Sequence, residues 1–340
     1  MPLRQSALPA HDAGQEALTH EPRPAARRGS QRHAPHEGPP VSTHLQWGAQ
    51  ALWQRLEPLL PGLSVEVLAR VESTNTTLLE RARAMNGRRD SPITRPGELD
   101  ALHVDERTPH GRRSADMQAS LLVAEHQTRG RGRLGRDWSA SAGASLTFSL
   151  GLPLAPQEWS GLSLAVGLAL AEALDPAGNG GASPRIGLKW PNDLWLVDGA
   201  GRGRKLGGIL IETVSMGPRR LCVVGVGLNV LPQAHEGLTQ GYACLQEIDP
   251  QASAPAALAC VAEPLVLSVL RFQAQGFAPL VAAYARRDVL RGQPVRTTQP
   301  DLPEGVAEGV DEHGALCVRR DGVHRVVSGE VSVRLRDGVA

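Results

Sequence analysis

The chain has 340 residues, 41% of them hydrophobic, and its 36 Lys and Arg residues balance 35 Asp and Glu residues. This length predicts two folded domains of about 150 residues each. Near neutrality disfavours a protein whose main partner is the nucleic-acid backbone, since such proteins usually carry a basic excess. We therefore expect no nucleic-acid partner.

The cysteines indicate a reducing compartment. No CxxC pair occurs, so the spacing typical of zinc and redox-dithiol sites is missing. We expect all four to be buried small apolar residues: Cys222, Cys244, Cys260 and Cys317. No stretch offers about 18 uninterrupted apolar residues, and no apolar run follows Met1. We therefore expect no membrane span, no secretory signal and a cytoplasmic location.

Two stretches lack any periodic pattern. Residues 1–42 are rich in Pro, Ala, Arg, His and Gly, which predicts a disordered tail. Residues 86–117 have a similar composition and lie between patterned elements, which predicts a long surface insertion.

A helix is predicted just before that insertion. Thr77 and Glu80 form a capping-box pattern, and Asn86-Gly87 is a stop signal. The polar run Ser73-Thr74-Asn75 then lies at or just before the first turn, where free backbone N–H groups can meet a ligand. The predicted apolar face of the helix consists of Leu78, Leu79, Ala82 and Met85.

Apolar and alternating runs further along predict a mixed sheet with helices packed against it. The predicted strands are residues 121–125, 145–150, 186–190, 194–197, 206–214 and 221–226. In residues 145–150, polar and apolar residues alternate strictly, which predicts a half-buried strand. The predicted helices are residues 162–174, 255–275 and 278–290. We expect this catalytic domain to cover residues 43–291. Five short strands separated by turn residues then predict a small β-barrel at residues 292–340.

The most distinctive motif is GRGRLGRDW at residues 130–138. Its G-x-G-x-x-G pattern also occurs in dinucleotide-binding folds, but no helix opens after these glycines and the surrounding sheet is mixed. The glycines allow close backbone approach, the arginines offer planar forks for phosphate oxygens, and Trp138 offers a flat face to a base. An RNA-binding RGR segment is the alternative; the neutral chain and the ordered flanks disfavour it.

Three weaker motifs follow, each at a predicted strand: KWPND at residues 189–193, KLGGILIE at 205–212 and GVGLN at 225–229. A lysine followed by Pro, Asn and Asp places polar groups on a turn beside the sheet. Glycines inside a strand usually mark a close neighbour or a ligand. Each of these motifs, taken alone, also fits a solvated turn or a bulge.

In their order and approximate spacing, these motifs together with Ser73-Thr74-Asn75 and Gln127 resemble the biotin–protein ligases. The resemblance covers about Leu45 to Val339. It implies an α+β fold, with a mixed sheet of the class II synthetase-like biotin–lipoate ligase type and a C-terminal SH3-like β-barrel. It also implies an enzyme that makes biotinyl-5′-adenylate from biotin and ATP with Mg²⁺, then transfers biotin to a lysine of a biotin carboxyl carrier protein domain.

The resemblance also implies residue roles, with Lys205 and Arg133 as the catalytic pair. It implies a biotin site made of Ser73, Thr74, Asn75, Gln127, Arg131, Gly132, Lys205, Gly208 and Gly227. It implies an ATP and adenylate site made of Arg133, Arg136, Trp138, Lys189, Asn192, Asp193 and Asn229. The magnesium ligands stay unassigned.

Two rival functions are a lipoate–protein ligase, which shares the catalytic fold, and a biotin-sensing regulator without catalysis. The GRGRLGRDW segment at residues 130–138, called the Gly-Arg loop below, favours biotin over lipoate, as do KWPND and the C-terminal strands. The adenylation residues favour an enzyme over a sensor. Some relatives carry an N-terminal helix-turn-helix, whereas residues 1–45 show no such pattern, so we expect no operator binding. The oligomeric state stays open between a monomer and a homodimer paired through a sheet edge.

Overall fold

The computed structural model describes residues 45–89, 118–176, 182–199, 202–216, 219–233, 241–327 and 334–335. The predicted tail lies outside the described residues, as does the predicted insertion from residue 90 onward. Leu45–Ala340 form one compact unit.

The larger part of the chain forms a mixed seven-stranded sheet and a short hairpin. In chain order the strands are β1 (Ser64–Val71), β2 (Ser120–Gln127), β3 (Gly130–Arg131), β4 (Asp137–Trp138), β5 (Ser145–Pro153), β6 (Ile186–Lys189), β7 (Asp193–Val197), β8 (Gly203–Met216) and β9 (Arg219–Asn229). The sheet order is β1-β2-β5-β9-β8-β7-β6, and β3 pairs with β4. Only the β1–β2 pair of this sheet is parallel. The predicted mixed sheet is confirmed.

Helices cover both faces of this sheet. They are α1 (Ala49–Leu56), α2 (Thr74–Arg89), α3 (Leu162–Leu174), α4 (Ala254–Gln275) and α5 (Val281–Ala285). Successive residues of a strand point to opposite faces. Leu122 of β2 accordingly packs with Leu78 and Leu79 of α2, whereas Leu121 and Val123 join the larger core around α1, α3 and α4. The polar motifs lie on the α2 face of the sheet, where the apolar cluster is the smaller of the two.

Helix α2 begins and ends differently from the prediction. It starts at Thr74, and the carbonyl of Ser73 accepts from the backbone N–H of Thr77. The capping box predicted at Thr77 is therefore one turn too late, because three polar residues occupy the first turn. The helix also continues past Asn86-Gly87 to Arg89. A glycine costs a helix only about 1 kcal/mol, so it does not have to end one.

The helix predicted at residues 278–290 is wrong in length. A single 3-10 turn, Ala278–Leu280, leads into α5, which ends at Ala285. The chain then runs beside β6, where Leu188 donates to the carbonyl of Arg287 at 2.6 Å and accepts from Val289 N–H at 3.1 Å. This extended segment satisfies backbone groups at the sheet edge that a continued helix would leave unpaired.

A buried ion pair secures the same edge. Arg287 Nη1 lies 2.9 Å from Asp175 Oδ2, and both side chains are buried. Asp175 also accepts from the backbone N–H groups of Arg185 and Ile186. Removing one member of such a pair typically costs about 3–5 kcal/mol, because the other charge stays buried. Strand β6, which ends at Lys189, is therefore firmly placed.

Strand β5 is not half-buried as predicted. Its polar residues Ser145, Thr147 and Ser149 are as inaccessible as the alternating leucines, with exposures of 2%, 2% and 0%. The reason is that other segments cover the face to which they point: Ser149 contacts Thr74 of α2, and Ser145 Oγ lies 3.2 Å from Gln233 Nε2. Alternation in the sequence shows two faces, but it does not show whether the polar face meets water.

A second sheet follows, with five short strands where the sequence predicts a small β-barrel. Its strands are β10 (Pro294–Arg296), β11 (Glu304–Val310), β12 (Leu316–Arg319), β13 (Val323–Val326) and β14 (Arg334–Leu335), and the order is β13-β12-β11-β10-β14. All its paired strands are antiparallel. The turn between β11 and β12 reaches the first sheet, where Trp190 Nε1 donates to Gly314 O at 3.0 Å. The boundary at residue 292 stays a prediction.

The cysteine prediction is right for two of the four residues. Cys222 and Cys244 are buried, Cys317 is half-buried and Cys260 is exposed. All four thiols are free, and burial raises the pKa of Cys222 to about 12. This thiol therefore stays protonated at neutral pH.

Within the described ranges, α4 is long and apolar enough to cross a bilayer by length and composition. Nine of its 22 residues are buried in the protein, and it packs along α3. Core helices of globular proteins show the same pattern.

Candidate active site

A pocket opens on the α2 face of the sheet, with a volume of about 1030 Å³ including its open mouth. The start of α2, the Gly-Arg loop and strands β8 and β9 form its walls. Of the sixteen residues predicted for the site, fifteen line this pocket: Ser73, Thr74, Asn75, Gln127, Arg131, Gly132, Arg133, Arg136, Trp138, Lys189, Asn192, Asp193, Lys205, Gly208 and Gly227. Motifs separated by more than 150 residues in the chain thus converge on one cavity.

Two glycines of β9 make room for this convergence. A Cβ atom on Gly225 would lie 2.2 Å from Asn75 Oδ1, and one on Gly227 would lie 2.5 Å from the indole ring of Trp138. Both distances are far shorter than any real carbon contact. The strand glycines thus let the start of α2 and the Gly-Arg loop pack directly on the sheet.

One end of the pocket is a buried polar cluster. Gln127 Oε1 accepts from the backbone N–H of Thr74 at 2.7 Å, and the Thr74 hydroxyl lies 3.1 Å from the same oxygen. Ser73, Thr74 and Asn75 are each only 3% exposed, and Gln127 8%. Buried polar groups of this kind suit a neutral ligand that offers matching hydrogen bonds.

The Gly-Arg loop is a tight hairpin. Gly130 pairs with Trp138, Arg131 pairs with Asp137, and Gly132 N–H donates to Arg136 O at 2.7 Å. At its tip, Leu134 has a φ of 59° and is more than half exposed. A positive φ is costly for leucine, so the tip is strained.

Two arginines tie this loop to the body of the protein. Arg131 Nη2 lies 3.0 Å from Glu212 Oε1 on β8, and Arg133 Nη1 donates to Asn192 Oδ1 at 3.4 Å. Burial lowers the pKa of Arg133, while the nearby carboxylate of Asp193 raises it. The guanidinium stays charged at neutral pH, because a free arginine has a pKa above 12.

Two lysines approach the pocket from neighbouring strands. Lys205 Nζ forms an ion pair with Asp193 Oδ1 at 2.8 Å and lies 5.9 Å from the ring centroid of Trp138. Lys189 is 4% exposed, and its Nζ lies 4.3 Å from the ring centroid of Trp195. An aromatic face partly offsets the loss of hydration of a buried ammonium. The pocket therefore carries several cations as well as its buried polar cluster, and two of these cations, Arg131 and Lys205, pair with Glu212 and Asp193.

Asn229 is the one predicted site residue that does not line the pocket. Its Nδ2 donates to Lys205 O at 3.2 Å and to Ala243 O at 3.0 Å. Both amide hydrogens are therefore used to hold the backbone that carries Lys205. In this arrangement Asn229 positions the lysine.

Two residues that support the polar end of the pocket from behind have no role in the sequence-based assignment. Ser149 Oγ lies 2.6 Å from both Thr74 Oγ1 and Asn75 Oδ1, and Glu212 Oε2 accepts from Asn75 Nδ2 at 3.0 Å. Glu212 ends the quoted KLGGILIE motif, and Ser149 belongs to the alternating run. Neither pattern distinguishes a buried partner from a solvated one.

Within the described part of the chain, no group of three or more His, Cys, Asp or Glu side chains could hold a metal ion. Asp193 Oδ1 lies 2.8 Å from Lys205 Nζ, and Asn192 precedes it in the KWPND motif. Asn192 Nδ2 donates to Ile209 O at 2.7 Å, which fixes the orientation of its amide.

Two family models match this chain and define its class. The Biotin/lipoate A/B protein ligase family matches residues 110–229, and the Biotin protein ligase C terminal domain matches residues 292–334. A solved structure of Biotin protein ligase from Aquifex aeolicus in complex with biotin and ATP superimposes with a TM-score of 0.58 and 24% identity, covering 80% of this chain and 99% of that one. The fold is therefore that of a biotin/lipoate ligase.

Curated relatives narrow this class. The chain is 34% identical to the Biotin--[acetyl-CoA-carboxylase] ligase of Mycobacterium tuberculosis, over 85% of this chain and 92% of that protein. It is 32% identical to the Bifunctional ligase/repressor BirA of Escherichia coli strain K12, over 81% of this chain and 75% of that protein. The chain belongs to the biotin–protein ligase family.

Proposed function

We propose that this chain uses ATP to convert biotin into biotinyl-5′-adenylate and then transfers the biotinyl group to a lysine of a biotin carboxyl carrier domain. One observation carries the proposal: a buried, neutral, hydrogen-bonding cluster and a group of cations share a single pocket. Biotin has the matching chemistry, with a neutral ureido ring at one end and a carboxylate at the other.

The neutral end of the pocket binds the ureido ring. Thr74 and Gln127 are buried and already partly hydrogen-bonded, so they can exchange bonds with a ring that offers N–H donors and a carbonyl acceptor. Phe148, Ile209 and Val226 give the pocket apolar walls for the valeryl chain.

In the first step, a carboxylate oxygen of biotin attacks the α-phosphorus of ATP, and pyrophosphate leaves with the electron pair of the broken P–O bond. Both reactants are anionic, so positive charge must bring them together. Lys205 is the residue we assign to the carboxylate and the α-phosphate. Its ion pair with Asp193 keeps the amine inside the pocket, and a substrate oxygen can share this amine, which has three donors.

The nucleotide binds on the side of Lys189, Asn192 and Asp193. ATP is handled with Mg²⁺, which commonly binds through one or two protein oxygens together with substrate phosphates. A pocket that offers Asn192 and Asp193 without a cluster of three acids among the described residues fits that mode. Trp138 supplies an aromatic face beside Lys205 for the adenylate.

In the second step, an uncharged lysine amine of the carrier domain attacks the acyl carbon, AMP leaves with the electron pair, and the amine loses a proton. Until then the adenylate must be kept from water and from other amines. The hairpin that carries Arg131 and Arg133 is placed to close over it, with both arginines anchored on the opposite wall. The homodimer and the lack of operator binding stay predictions.

The test is transfer of labelled biotin to a purified carrier domain in the presence of ATP and Mg²⁺. The wild-type chain labels one lysine, and Lys205→Ala does not. The control is Arg202→Ala, which removes an exposed cation of the neighbouring hairpin that pairs only with Asp198 in the described structure. No labelling by the wild-type chain would refute the proposal, and equal labelling by Lys205→Ala and Arg202→Ala would remove Lys205 from the mechanism.

Lipoate is the second substrate to exclude. Its dithiolane ring offers no N–H or carbonyl group to Thr74 and Gln127, so binding it would leave buried polar atoms unpaired. A thermal-shift titration should show stabilisation by biotin and none by lipoate at equal concentration. Equal stabilisation by the two acids would contradict the assignment of the polar cluster.

A further inference from the structure

A fully buried hydroxyl lies behind the polar end of the pocket. Ser149 on β5 is 0% exposed and does not line the cavity. Its Oγ lies 2.6 Å from Thr74 Oγ1 and 2.6 Å from Asn75 Oδ1. A hydroxyl carries one proton, so Ser149 can donate to only one of these two oxygens.

The surroundings of Asn75 decide which one. Asn75 Nδ2 lies 3.1 Å from Leu210 O and 3.0 Å from Glu212 Oε2, and both of those atoms can only accept. Glu212 also pairs with Arg131. The reverse amide orientation would place the Asn75 oxygen against two acceptors. The Asn75 oxygen therefore faces Ser149, and Ser149 must donate to it.

This fixes the proton of Thr74 as well. Since the Ser149 proton is committed, the 2.6 Å contact between the two hydroxyls is a hydrogen bond only if Thr74 donates to Ser149. The longer contact from Thr74 Oγ1 to Gln127 Oε1, at 3.1 Å, competes poorly, because that oxygen already accepts the Thr74 N–H at 2.7 Å. Thr74 Oγ1 thus presents only lone pairs to the pocket.

We infer that Glu212, Asn75 and Ser149 form a hydrogen-bond relay that holds Thr74 Oγ1 as an acceptor and so selects a ligand whose ring offers an N–H at that place. Ser149 and Glu212 act through Thr74 and are positioning residues. The inference rests on the proposed function, in which the ring is the ureido ring of biotin. A ring oxygen at the same place would meet two lone pairs and be rejected.

Calorimetric titration with three ligands tests the relay. They are biotin and the two cyclic carbamates in which one ring N–H or the other is replaced by oxygen. In the wild-type chain, one carbamate should bind at least about tenfold more weakly than biotin, since a hydrogen bond becomes a repulsion. In Ser149→Ala the Thr74 proton is free to turn toward the ligand, so this preference should fall about tenfold.

The matched control is Thr147→Val. Thr147 is a buried residue on the same strand, and its hydroxyl donates to Ala124 O at 3.1 Å, away from the Ser149–Thr74 hydrogen bond. Its loss should leave the preference between biotin and the carbamates unchanged. Ser149→Cys keeps a side chain of similar size with a weaker donor, so it should give an intermediate preference and serves as the test if Ser149→Ala does not fold.

A purely structural role predicts a different result. If the Ser149 variants lost affinity for biotin and for both carbamates by the same factor, or kept the wild-type preference, the relay would be overturned while the proposed function stood. If the wild-type chain itself bound no biotin, the proposed function would fall, and the inference with it.

Discussion

Replacing Arg133 with glycine should release the activated intermediate. Arg133 is the loop arginine that reaches across the pocket to Asn192, with Nη1 3.4 Å from Oδ1. A hydrogen bond from a charged group contributes about 1.5–3 kcal/mol, and a contact of this length belongs at the lower end. A loss of about 1.5 kcal/mol makes the open state of the loop roughly tenfold more populated.

A guanidinium contact to the adenylate phosphate would be lost at the same time, so we expect escape of the adenylate to rise about 10- to 100-fold. The assay mixes the enzyme, labelled biotin, ATP and Mg²⁺ with the carrier domain and a bystander protein rich in exposed lysines. Arg133→Gly should label both proteins, whereas the wild-type chain should label only the carrier.

Arg129→Gly is the control for this assay. Arg129 directly precedes the hairpin, is largely exposed and faces Glu72 at 3.7 Å outside the pocket. It tests whether added glycine alone loosens the loop. If Arg133→Gly labelled the carrier alone, or if Arg129→Gly labelled the bystander equally well, the role assigned to Arg133 would be refuted.

Two further predictions concern residues that act from outside the pocket. Asn229→Ala leaves the buried carbonyl of Ala243 without its side-chain donor, and it removes one donor from the carbonyl of Lys205, which also accepts from the Ala243 N–H at 3.0 Å. It should cost about 1–3 kcal/mol of unfolding free energy and lower kcat for adenylation more than it raises the KM for ATP. A raised KM with unchanged kcat would show direct nucleotide contact. Burial raises the pKa of Asp288 to about 6. Because folding favours the protonated acid, this group stabilises the protein at pH 4 and loses that contribution as pH rises to about 6. Between pH 4.5 and 7.5, the free energy of unfolding of the wild-type chain should fall by roughly 2 kcal/mol more than that of Asp288→Asn, as measured by urea unfolding. Parallel pH profiles of the two proteins would contradict this.

The main sheet was largely predictable because its strands carry long apolar runs. Strands β2, β6, β7, β8 and β9 lie close to their predicted bounds, and α3 has the predicted ones. Strand β1 and helix α1 were missed. Residues of β1 are mostly half-buried or exposed, and α1 has only two buried residues, so neither shows a strong apolar pattern.

The site was predictable as a set of motifs but not as a network. The motif glycines, lysines and arginines stand out because their residue types are unusual for strands. Ser149 does not stand out, because a serine in an alternating run usually faces water. Asn229 lies in a motif, yet its amide points to the backbone of Lys205. Which polar group faces a ligand and which supports a neighbour depends on packing between distant segments.

The central claim is that Lys205 brings a carboxylate and ATP together beside the buried polar cluster. Biotin-dependent exchange of labelled pyrophosphate into ATP measures that step alone, without a carrier protein. We predict exchange that requires biotin in the wild-type chain, persists in Arg202→Ala and is lost in Lys205→Ala. Exchange at the wild-type rate in Lys205→Ala, or exchange that needs no biotin, would contradict the claim.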